Sequence, residues 1–292
     1  MTLAAQVEQR FATRVLHPSF GLEIDGLDVS QVLADATVAA LRELSGRHKV
    51  LVLKGQSLTA AELNDFASRF GDTNQVPARV PKEEEQRHER KHNVAKLGTP
   101  GKPGDPGGKP TGYAALPRFW HSDSSWRPIP TWLTMLAAVE LPDADGDTCF
   151  ADMAAAYEAL PDERKALLEG KSMIHAWATL SRYEPTAPPL GDSAPPPATH
   201  PVVCTVEGRK CLFLGGHTSY YVGNMPFEEG EALFGELVAH ATSPEFVYRH
   251  QWTPGDLLVW DNRAVMHRVL PWDYSQRRVM HRAEVCGTEV PR

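Results

Sequence analysis

Residues 119–126 read Phe-Trp-His-Ser-Asp-Ser-Ser-Trp, which places the imidazole of His121 and the carboxylate of Asp123 two positions apart. In an extended segment, residues i and i+2 point to the same face, so both side chains could hold one metal ion. A His-x-Asp pair alone is weak evidence for a site, because such a pair also occurs as an ordinary polar sheet edge. Two ligands need a third from elsewhere in the chain.

The candidate for the third ligand is His267, in the stretch Val-Trp-Asp-Asn-Arg-Ala-Val-Met-His-Arg over residues 259–268. Two histidines and one carboxylate with open coordination positions form the facial triad of non-haem Fe(II) oxygenases. Taken alone, His267 fits a structural histidine satisfied by a neighbour equally well. We predict that the chain is a scaffold for a metal site made by His121, Asp123 and His267.

The composition is that of an ordinary globular protein, with 292 residues, 23% charged and 42% hydrophobic. This length allows one large domain or two, and we predict a single domain over residues 1–292. The formal net charge of −7 argues against a general nucleic-acid binder. We therefore expect the partner to be a small molecule.

Residues 1–10 contain charges where a signal peptide needs an unbroken apolar core, and no run approaches the roughly 18 apolar residues of a membrane span. The four cysteines share no CxxC spacing, so their pattern indicates neither a zinc knuckle nor a disulfide framework; they are Cys149, Cys204, Cys211 and Cys286. We expect reduced thiols, a cytoplasmic location and no membrane partner.

Hydrophobic periodicity predicts mostly strands, with helices outside the ligand regions. Strands are expected over 14–29 (a strand and turn), 49–54, 131–140, 147–151, 202–206, 212–214, 256–260 and 278–286. Helices are expected over 35–45, 59–70, 153–170 with a break at Leu160-Pro161, and 227–241, the second beginning with the capping-box spacing of Thr59 and Glu62. The predicted fold is mostly β, a sandwich or barrel with flanking helices.

Residues 76–118 differ in character from the rest of the chain. A charge-dense piece over 82–92 leads into a Gly/Pro-rich piece over 98–110, which cannot hold a regular ladder or helix. We therefore predict a mobile loop over 76–118. Its position just before His121 makes it a candidate lid, and a solvated surface excursion without a role fits equally well.

The segment that follows His267 contains two arginines four positions apart, Arg278 and Arg282. Strand alternation would place both on one face together with Met280. Buried guanidinium groups are costly unless they receive anions, and arginine suits bidentate capture of carboxylates. We interpret the pair as an anion-binding face beside the metal, with a solvated basic strand as the alternative.

Beyond these patterns, the chain resembles the taurine dioxygenase and aryloxyalkanoate dioxygenase family of Fe(II)/2-oxoglutarate-dependent oxygenases over residues 14–287. Five blocks in the family's order carry the resemblance: 120–124, 146–153, 260–263, 267–268 and 276–282. The resemblance implies a double-stranded β-helix, the cupin-like jelly roll, with the metal at its mouth. It also implies, more weakly, a homo-oligomer.

The same resemblance implies a role for each site residue. His121, Asp123 and His267 would bind Fe(II), with 2-oxoglutarate and molecular oxygen as cosubstrates. Arg278 and the hydroxyl of Thr148 would hold the far carboxylate of 2-oxoglutarate. Arg282 matches the arginine that receives the substrate's acidic group. No catalytic residue is expected beyond the metal centre.

Two further residues are candidates for the substrate pocket. His217, in Leu-Gly-Gly-His-Thr-Ser over 214–219, could hydrogen-bond the substrate's acid, and a structural turn histidine is the alternative. Trp120 could line an aromatic wall, and simple packing beside the ligands is equally consistent with its position. We predict both as substrate-binding residues beside Arg282.

The substrate class rests on finer features of the resemblance. Where taurine enzymes carry an asparagine shortly before the His-x-Asp motif, this chain has Pro117-Arg118-Phe119. The blocks over 149–160 and 256–263 are more similar to enzymes that cleave aryloxyalkanoate ethers. We expect hydroxylation of a small carboxylate-bearing substrate, an aryloxyalkanoate cleaved to a phenol and an oxo acid. The alternatives are a sulfonate, a sulfate ester or a natural-product acid and, more remotely, a zinc hydrolase or a non-catalytic binding protein.

Overall fold

Two sheets that pack face to face organise the computed structural model, which describes residues 2–73, 90–91, 94–98, 112–183 and 194–292. The first half contains α1 (Leu3–Arg10), β1 (Ala12–Val15), β2 (Leu22–Asp25), α2 (Asp35–His48), β3 (Val50–Leu53), α3 (Ala60–Ser68), β4 (Arg90–Lys91), β5 (Val94–Gly98), a 3-10 segment (Gly112–Arg118) and β6 (Thr131–Glu140). In the described ranges, none of the helices is both long enough and apolar enough to cross a bilayer.

The second half supplies the remaining strands and helices. They are β7 (Thr148–Asp152), α4 (Met153–Ala159), α5 (Asp162–Leu168), β8 (Ser172–His175), α6 (Leu180–Tyr183), β9 (Ala198–Pro201), β10 (Val203–Val206), β11 (Arg209–Leu212), α7 (Phe227–Ala241), β12 (Val247–His250), β13 (Leu257–Asp261), β14 (Val265–Val269) and β15 (Val279–Cys286). Short 3-10 turns lie at Trp177–Thr179 and Pro244–Phe246.

The larger sheet has eight strands in the order β1-β2-β3-β13-β6-β15-β5-β4, and the smaller one has three in the order β12-β7-β14. Every pairing in these two sheets is antiparallel except that of β2 with β3. Two smaller two-stranded sheets, β8-β9 and the β10-β11 hairpin, complete the described strands. Strands next to each other in a sheet are thus mostly distant in sequence, which brings segments from both halves of the chain to one place.

Strand β13 shows why both faces of the larger sheet are buried. Leu257 and Val259 belong to the cluster that packs under the helices, whereas Leu258 and Trp260 belong to the layer between the sheets. Side chains alternate between faces along a strand, so an unbroken apolar run is what a strand covered on both sides requires. The run Leu-Leu-Val-Trp therefore suits a central position.

The layer between the sheets positions the candidate site. It joins residues of the larger sheet to Phe150 on β7 and Val265 on β14. The rings of Phe150 and Trp260 meet edge to face with centroids 5.4 Å apart, and the ring of His267 lies 4.7 Å from that of Trp260. A histidine expected to bind metal is therefore anchored at the border of the inter-sheet core.

Helices cover the outer faces. Helices α1, α2 and α3 pack on the larger sheet, and α3 begins with the capping box expected from Thr59 and Glu62. Helices α4 and α7 pack with the β10-β11 hairpin against the smaller sheet. The predicted sandwich with flanking helices is confirmed, as are the helix break at Leu160-Pro161 and the long β6 strand.

The structure also corrects several expectations from the sequence. Within 76–118, where an irregular loop is predicted, strand β5 pairs with β15 and a 3-10 segment covers Gly112–Arg118. Strands β8, β9, β12 and β14 were not predicted, and the strand expected over 212–214 lies at Arg209–Leu212. The rest of the predicted lid, including its Gly/Pro-rich piece, lies outside the described residues.

Candidate active site

His121, Asp123 and His267 lie together at the border of the two sheets. His121 exchanges two backbone hydrogen bonds with His267, of 3.0 and 2.8 Å, so the motif segment runs beside β14. The Nε2 atoms of the two histidines lie 3.7 Å from different oxygens of the Asp123 carboxylate. One ligand atom from each residue lies within 4.8 Å of the others, and all three residues are buried. The structure thus brings together the three predicted ligands.

The ring orientation of His121 is set by its own segment. Its Nδ1 lies 2.8 Å from the carbonyl oxygen of Phe119, and because a carbonyl only accepts, Nδ1 must carry the proton. The lone pair of Nε2 then faces Asp123 and His267. Such an outer hydrogen bond fixes the tautomer of metal-binding histidines.

Asp123 is oriented by a polar chain that the sequence analysis did not identify. Thr134 Oγ1 donates to Asp123 Oδ2 at 2.7 Å, and Asn262 Nδ2 donates to Thr134 Oγ1 at 2.9 Å. The amide oxygen of Asn262 accepts from the backbone N–H of Asp123 at 3.2 Å and from Trp260 Nε1 at 3.0 Å. The one signal in the sequence was a polar residue on the inner face of an apolar strand, Thr134.

The electrostatics of the three residues suit a divalent cation. Burial opposes ionisation of Asp123, but the Arg282 guanidinium and the Thr134 hydroxyl outweigh it and hold the pKa of that carboxyl well below its usual range. Burial lowers the pKa of both His121 and His267, which keeps them neutral. Neutral imidazoles and an ionised carboxylate are the forms that bind metals.

This donor set fits iron. Two imidazole nitrogens and one carboxylate oxygen are held by three residues that converge from two segments, and each carries the protonation state of a ligand. The 2-His-1-carboxylate arrangement with open positions is typical of Fe(II) oxygenases. A closed structural zinc site usually has four protein ligands, and the described residues supply three here.

A tight glycine turn brings His217 to the candidate metal site. Gly216 has φ +63°, and a Cβ on it would lie 1.8 Å from the Trp120 carbonyl oxygen. This close approach lets His217 donate its backbone N–H to that oxygen at 3.2 Å and stack its ring on His121 with centroids 4.7 Å apart. His217 Nδ1 is buried, and it has no hydrogen-bond partner among the described residues.

Trp120 lies beside the ligands, but its side chain points elsewhere. It packs against the cluster of the smaller sheet, with the Arg268 guanidinium 4.8 Å from its ring. Its backbone carbonyl is the part that contacts the His217 turn. Contact of the Trp120 ring with substrate stays a prediction.

Arg278 and Thr148, the residues expected to hold a carboxylate, are brought together by Trp252. The Trp252 Nε1 donates to Thr148 Oγ1 at 3.1 Å, and its ring lies 5.8 Å from the Arg278 guanidinium. Trp272 lies 5.4 Å from the same guanidinium, and Arg278 Nε donates to the Gly146 carbonyl at 3.1 Å. Burial, opposed by Asp147, lowers the pKa of Arg278 to about 10. No pattern in the sequence pointed to Trp252 or Trp272.

Arg282 points toward the His121, Asp123 and His267 cluster. Its Nη2 lies 2.6 Å from Asp123 Oδ1 and also pairs with Glu284. Met280 faces the inter-sheet layer, and Arg282 two residues on faces the same side, as alternation predicted. Arg278, in contrast, precedes β15, whose pairing with β6 is irregular at Val279/Met280, so the two arginines do not share one regular strand face.

Comparison with known proteins agrees with this geometry. The family model described as taurine catabolism dioxygenase TauD, TfdA family, matches residues 12–283. The chain belongs to this family. The matched range includes nearly the whole described sandwich and the predicted site residues from Trp120 to Arg282.

Two relatives of this TauD/TfdA family member are informative. The α-ketoglutarate-dependent 2,4-dichlorophenoxyacetate dioxygenase of Cupriavidus pinatubonensis is 36% identical over an alignment of 292 positions, which covers 94% of this chain and 97% of that protein. The (S)-phenoxypropionate/α-ketoglutarate-dioxygenase of Delftia acidovorans is 29% identical over an alignment of 289 positions, which covers 92% of each chain.

A solved structure is similar as well. The crystal structure of AAD-2 in complex with Mn(II) and N-oxalylglycine has a TM-score of 0.87 and 34% identity, and it covers 96% of this chain and 99% of that chain. The TauD/TfdA fold is the cupin-like jelly roll, and this chain has it. The chain is accordingly an α-ketoglutarate-dependent dioxygenase of a class that uses Fe(II), 2-oxoglutarate and O2.

Proposed function

We propose that this protein hydroxylates a small carboxylate-bearing substrate, an aryloxyalkanoate, next to its ether oxygen. The hemiacetal-like product would collapse to a phenol and an oxo acid. One observation carries the proposal: the Arg282 guanidinium, a receptor for an acidic group, lies 2.6 Å from the carboxylate of the His-Asp-His cluster. The relatives named for phenoxyacetates and phenoxypropionates support the choice of substrate class.

In this proposal His121 and His267 would hold iron through Nε2, and Asp123 would hold it through a carboxylate oxygen. Bound iron and 2-oxoglutarate supply oxidation of a C–H bond, coupled to conversion of 2-oxoglutarate and O2 to succinate and carbon dioxide. The chain keeps the ligands in place: Phe119 fixes the His121 ring, and Thr134 fixes the Asp123 carboxylate.

Arg278 and Thr148 would hold the far carboxylate of 2-oxoglutarate. A guanidinium between two indole rings is well oriented and only weakly hydrated, which suits bidentate capture of an anion. Because Thr148 Oγ1 accepts from Trp252, the hydroxyl proton of Thr148 is left to donate to a carboxylate oxygen. The Arg278 guanidinium and the Thr148 hydroxyl would thus both bind the far carboxylate of 2-oxoglutarate.

Arg282, His217 and Trp120 are the proposed substrate residues. The guanidinium of Arg282 would receive the acid, and the neutral His217 ring, stacked on His121, has a buried ring nitrogen for a further hydrogen bond. Burial lowers the pKa of His217 well below its usual value, so the ring contributes a hydrogen bond rather than a charge. Trp120 would contribute at most an edge of the pocket.

The test is succinate release by the purified protein with Fe(II), ascorbate, 2-oxoglutarate and oxygen. The panel contains aryloxyacetates, aryloxypropionates, taurine, alkyl sulfates and a natural-product carboxylic acid. We expect succinate matched by phenol with an aryloxyalkanoate. Succinate matched to another acid would keep the oxygenase and replace the substrate, and no stimulation by any acid would contradict the proposal.

The matched control uses two aspartates. Asp123→Ala should abolish succinate formation because it removes one of three metal ligands. Asp162→Ala changes a fully exposed side chain in the first turn of α5 and should leave turnover unchanged. Retained turnover in Asp123→Ala would reject the ligand assignment.

We further infer that the protein acts in the cytoplasm on small-molecule acids, without nucleic-acid or membrane partners, as a homo-oligomer. We also infer one domain over residues 1–292, with the segment 76–118 as its lid. The net charge of −7 and the family relatives support the small-molecule partner. Light scattering on the purified protein tests the oligomer, and limited proteolysis with and without 2-oxoglutarate tests the lid.

A further inference from the structure

Glu284 lies two residues after Arg282 on β15, so both side chains point to the same side of the larger sheet. Its Oε1 pairs with Arg282 Nη2, the same nitrogen that lies 2.6 Å from Asp123 Oδ1. Its other oxygen, Oε2, accepts from Thr131 Oγ1 at 3.4 Å. One nitrogen of the substrate arginine is therefore held between two carboxylates.

The three side chains are largely enclosed, with exposed side-chain fractions of 23% for Arg282, 14% for Glu284 and 6% for Asp123. An arginine side chain has many rotamers, and holding it in one of them costs conformational entropy. A charge in such a place is unfavourable without a partner. Glu284 supplies a partner from the strand that carries Arg282 itself.

Asp123 alone is a poor anchor for Arg282. Its proposed task is to bind the metal, and a carboxylate that coordinates a divalent cation offers less negative charge to a second cation. Glu284 is the other carboxylate on Arg282 Nη2, and it is not one of the three residues that converge on the metal centre. Its hold on the guanidinium therefore persists when the metal is bound.

We propose that Glu284 is the positioning residue that orients Arg282 toward the acidic group of the substrate, an inference that rests on the proposed function. Glu284 does not touch the substrate. It holds Nη2 toward the metal side, which leaves the rest of the guanidinium fork to receive the acid in one fixed direction. It thereby sets the affinity for acidic substrates without taking part in the oxidation.

Substrate binding tests the proposal in the protein loaded with Mn(II) and N-oxalylglycine. Calorimetric titration with the acid that binds best should show about tenfold weaker binding for Glu284→Ala, the loss expected for one hydrogen bond to a charged group. Glu284→Gln keeps an acceptor for Nη2 and should lie between Ala and the unaltered protein. In turnover, KM for the acid should rise while kcat and the KM for 2-oxoglutarate stay unchanged.

Glu140→Gln is the matched control. Glu140 also pairs with an arginine of the same region, since both its oxygens lie 2.9 Å from Arg277 Nε, but this pair is exposed. The same chemical change there should leave binding of the acid unchanged. Unchanged or tighter binding in Glu284→Ala would overturn the proposal, and so would a parallel loss of kcat and of 2-oxoglutarate affinity, which marks a structural role.

A second readout needs no substrate. Phenylglyoxal modifies guanidine groups that are not held in ion pairs. Arg282 is paired with two carboxylates, so it should react slowly in the metal-free protein. We expect severalfold faster modification of Arg282 in Glu284→Ala, and no change in Glu140→Gln, by peptide mass spectrometry. If no acid binds the unaltered protein, the proposed function fails. The rate of Arg282 modification by phenylglyoxal then decides the role of Glu284 by itself. An unchanged rate would overturn that role.

Discussion

Thr148 has its hydroxyl orientation imposed by a neighbour. Trp252 can only donate, so Thr148 Oγ1 must accept from it, and the Thr148 proton is directed to another acceptor. We expect Thr148→Val to raise the KM for 2-oxoglutarate about tenfold, since one hydrogen bond to a charged carboxylate is lost. Thr148→Ser keeps the hydroxyl and should behave like the unaltered protein. Succinate formation at varied 2-oxoglutarate measures both, and equal KM values for Val and Ser would contradict the assignment.

Individual candidate site residues could be predicted where the signal is local. His121 and Asp123 follow from a spacing of two, whereas His267, Arg278 and Arg282 needed the resemblance in addition. The supporting residues were not predictable, because their contacts join distant parts of the chain. Thr134 and Asn262 are 128 residues apart, and Trp252 and Thr148 are 104 apart. The pairing of Arg282 with both Asp123 and Glu284 could likewise be seen only in the three-dimensional structure.

The turn before His217 depends on glycine. Because Gly216 has φ +63° and a Cβ added to it would lie 1.8 Å from the Trp120 carbonyl oxygen, Gly216→Ala must displace the turn or the ligand segment. We expect a lower melting temperature and weaker metal binding. Gly235→Ala is the control, since a Cβ there meets nothing within 4 Å and the residue is helical. It should stabilise the protein by about 0.5–1 kcal/mol. Unchanged metal affinity in Gly216→Ala would contradict this role of the turn.

A buried ion pair joins two elements on opposite sides of the fold. Lys49, which ends α2, places Nζ 2.7 Å from both oxygens of Asp152, and Asp152 caps α4 through the backbone N–H of Ala154. Lys49→Met should lower the free energy of unfolding by about 3–5 kcal/mol, because an unpaired carboxylate is left buried. Urea denaturation measures it. The double variant Lys49→Met/Asp152→Asn should recover part of the loss, and no recovery would reject the charge explanation.

At the scale of elements, helices with clear periodicity and caps were predicted well, as in α3 and α7. Strand β5 was missed because Val94–Gly98 is short and adjoins a Gly/Pro-rich stretch, so its structure comes from pairing with β15 rather than from its own sequence. Strands β8 and β9 are four residues each, and they pair only with one another in an antiparallel two-stranded sheet. Such elements depend on tertiary partners.

Asp256 joins several segments at one edge of the molecule. It accepts from Thr253 N at 2.8 Å, lies 3.0 Å from His250 Nε2 and pairs with Lys54 at 2.5 Å. Burial opposes its ionisation, but these partners outweigh it and lower the pKa of Asp256 to about 2 from 3.8. Because the folded pKa lies below the unfolded value, the stability is fully present above pH 3.8 and is lost as pH falls through 3.8 to about 2.

Asp256→Asn should therefore lose about 2 kcal/mol of unfolding free energy at pH 7 and about half of that near pH 3. Urea denaturation at both pH values measures the difference. Asp273→Asn, at an exposed turn, is the control and should change stability little at pH 7. An equal loss at both pH values would show that the Asp256 charge is not the cause.

For the whole molecule, the alternation of short strands indicated a sandwich or barrel, and no more. The jelly roll came from the resemblance and is confirmed by the family match and by the solved relative. The strand order could not be read from the sequence, because β13 lies between β3 and β6 only through contacts far apart along the chain. The position of the candidate metal site depends on this strand order.

The most direct test of the central claim is turnover under 18O2. An Fe(II)/2-oxoglutarate oxygenase splits O2 between its two products. With the aryloxyalkanoate that supports turnover, we predict one labelled oxygen in each succinate and equal amounts of succinate and phenol. Phenol released without succinate, or succinate without label, would contradict the account and indicate hydrolysis at the His121, Asp123 and His267 site instead.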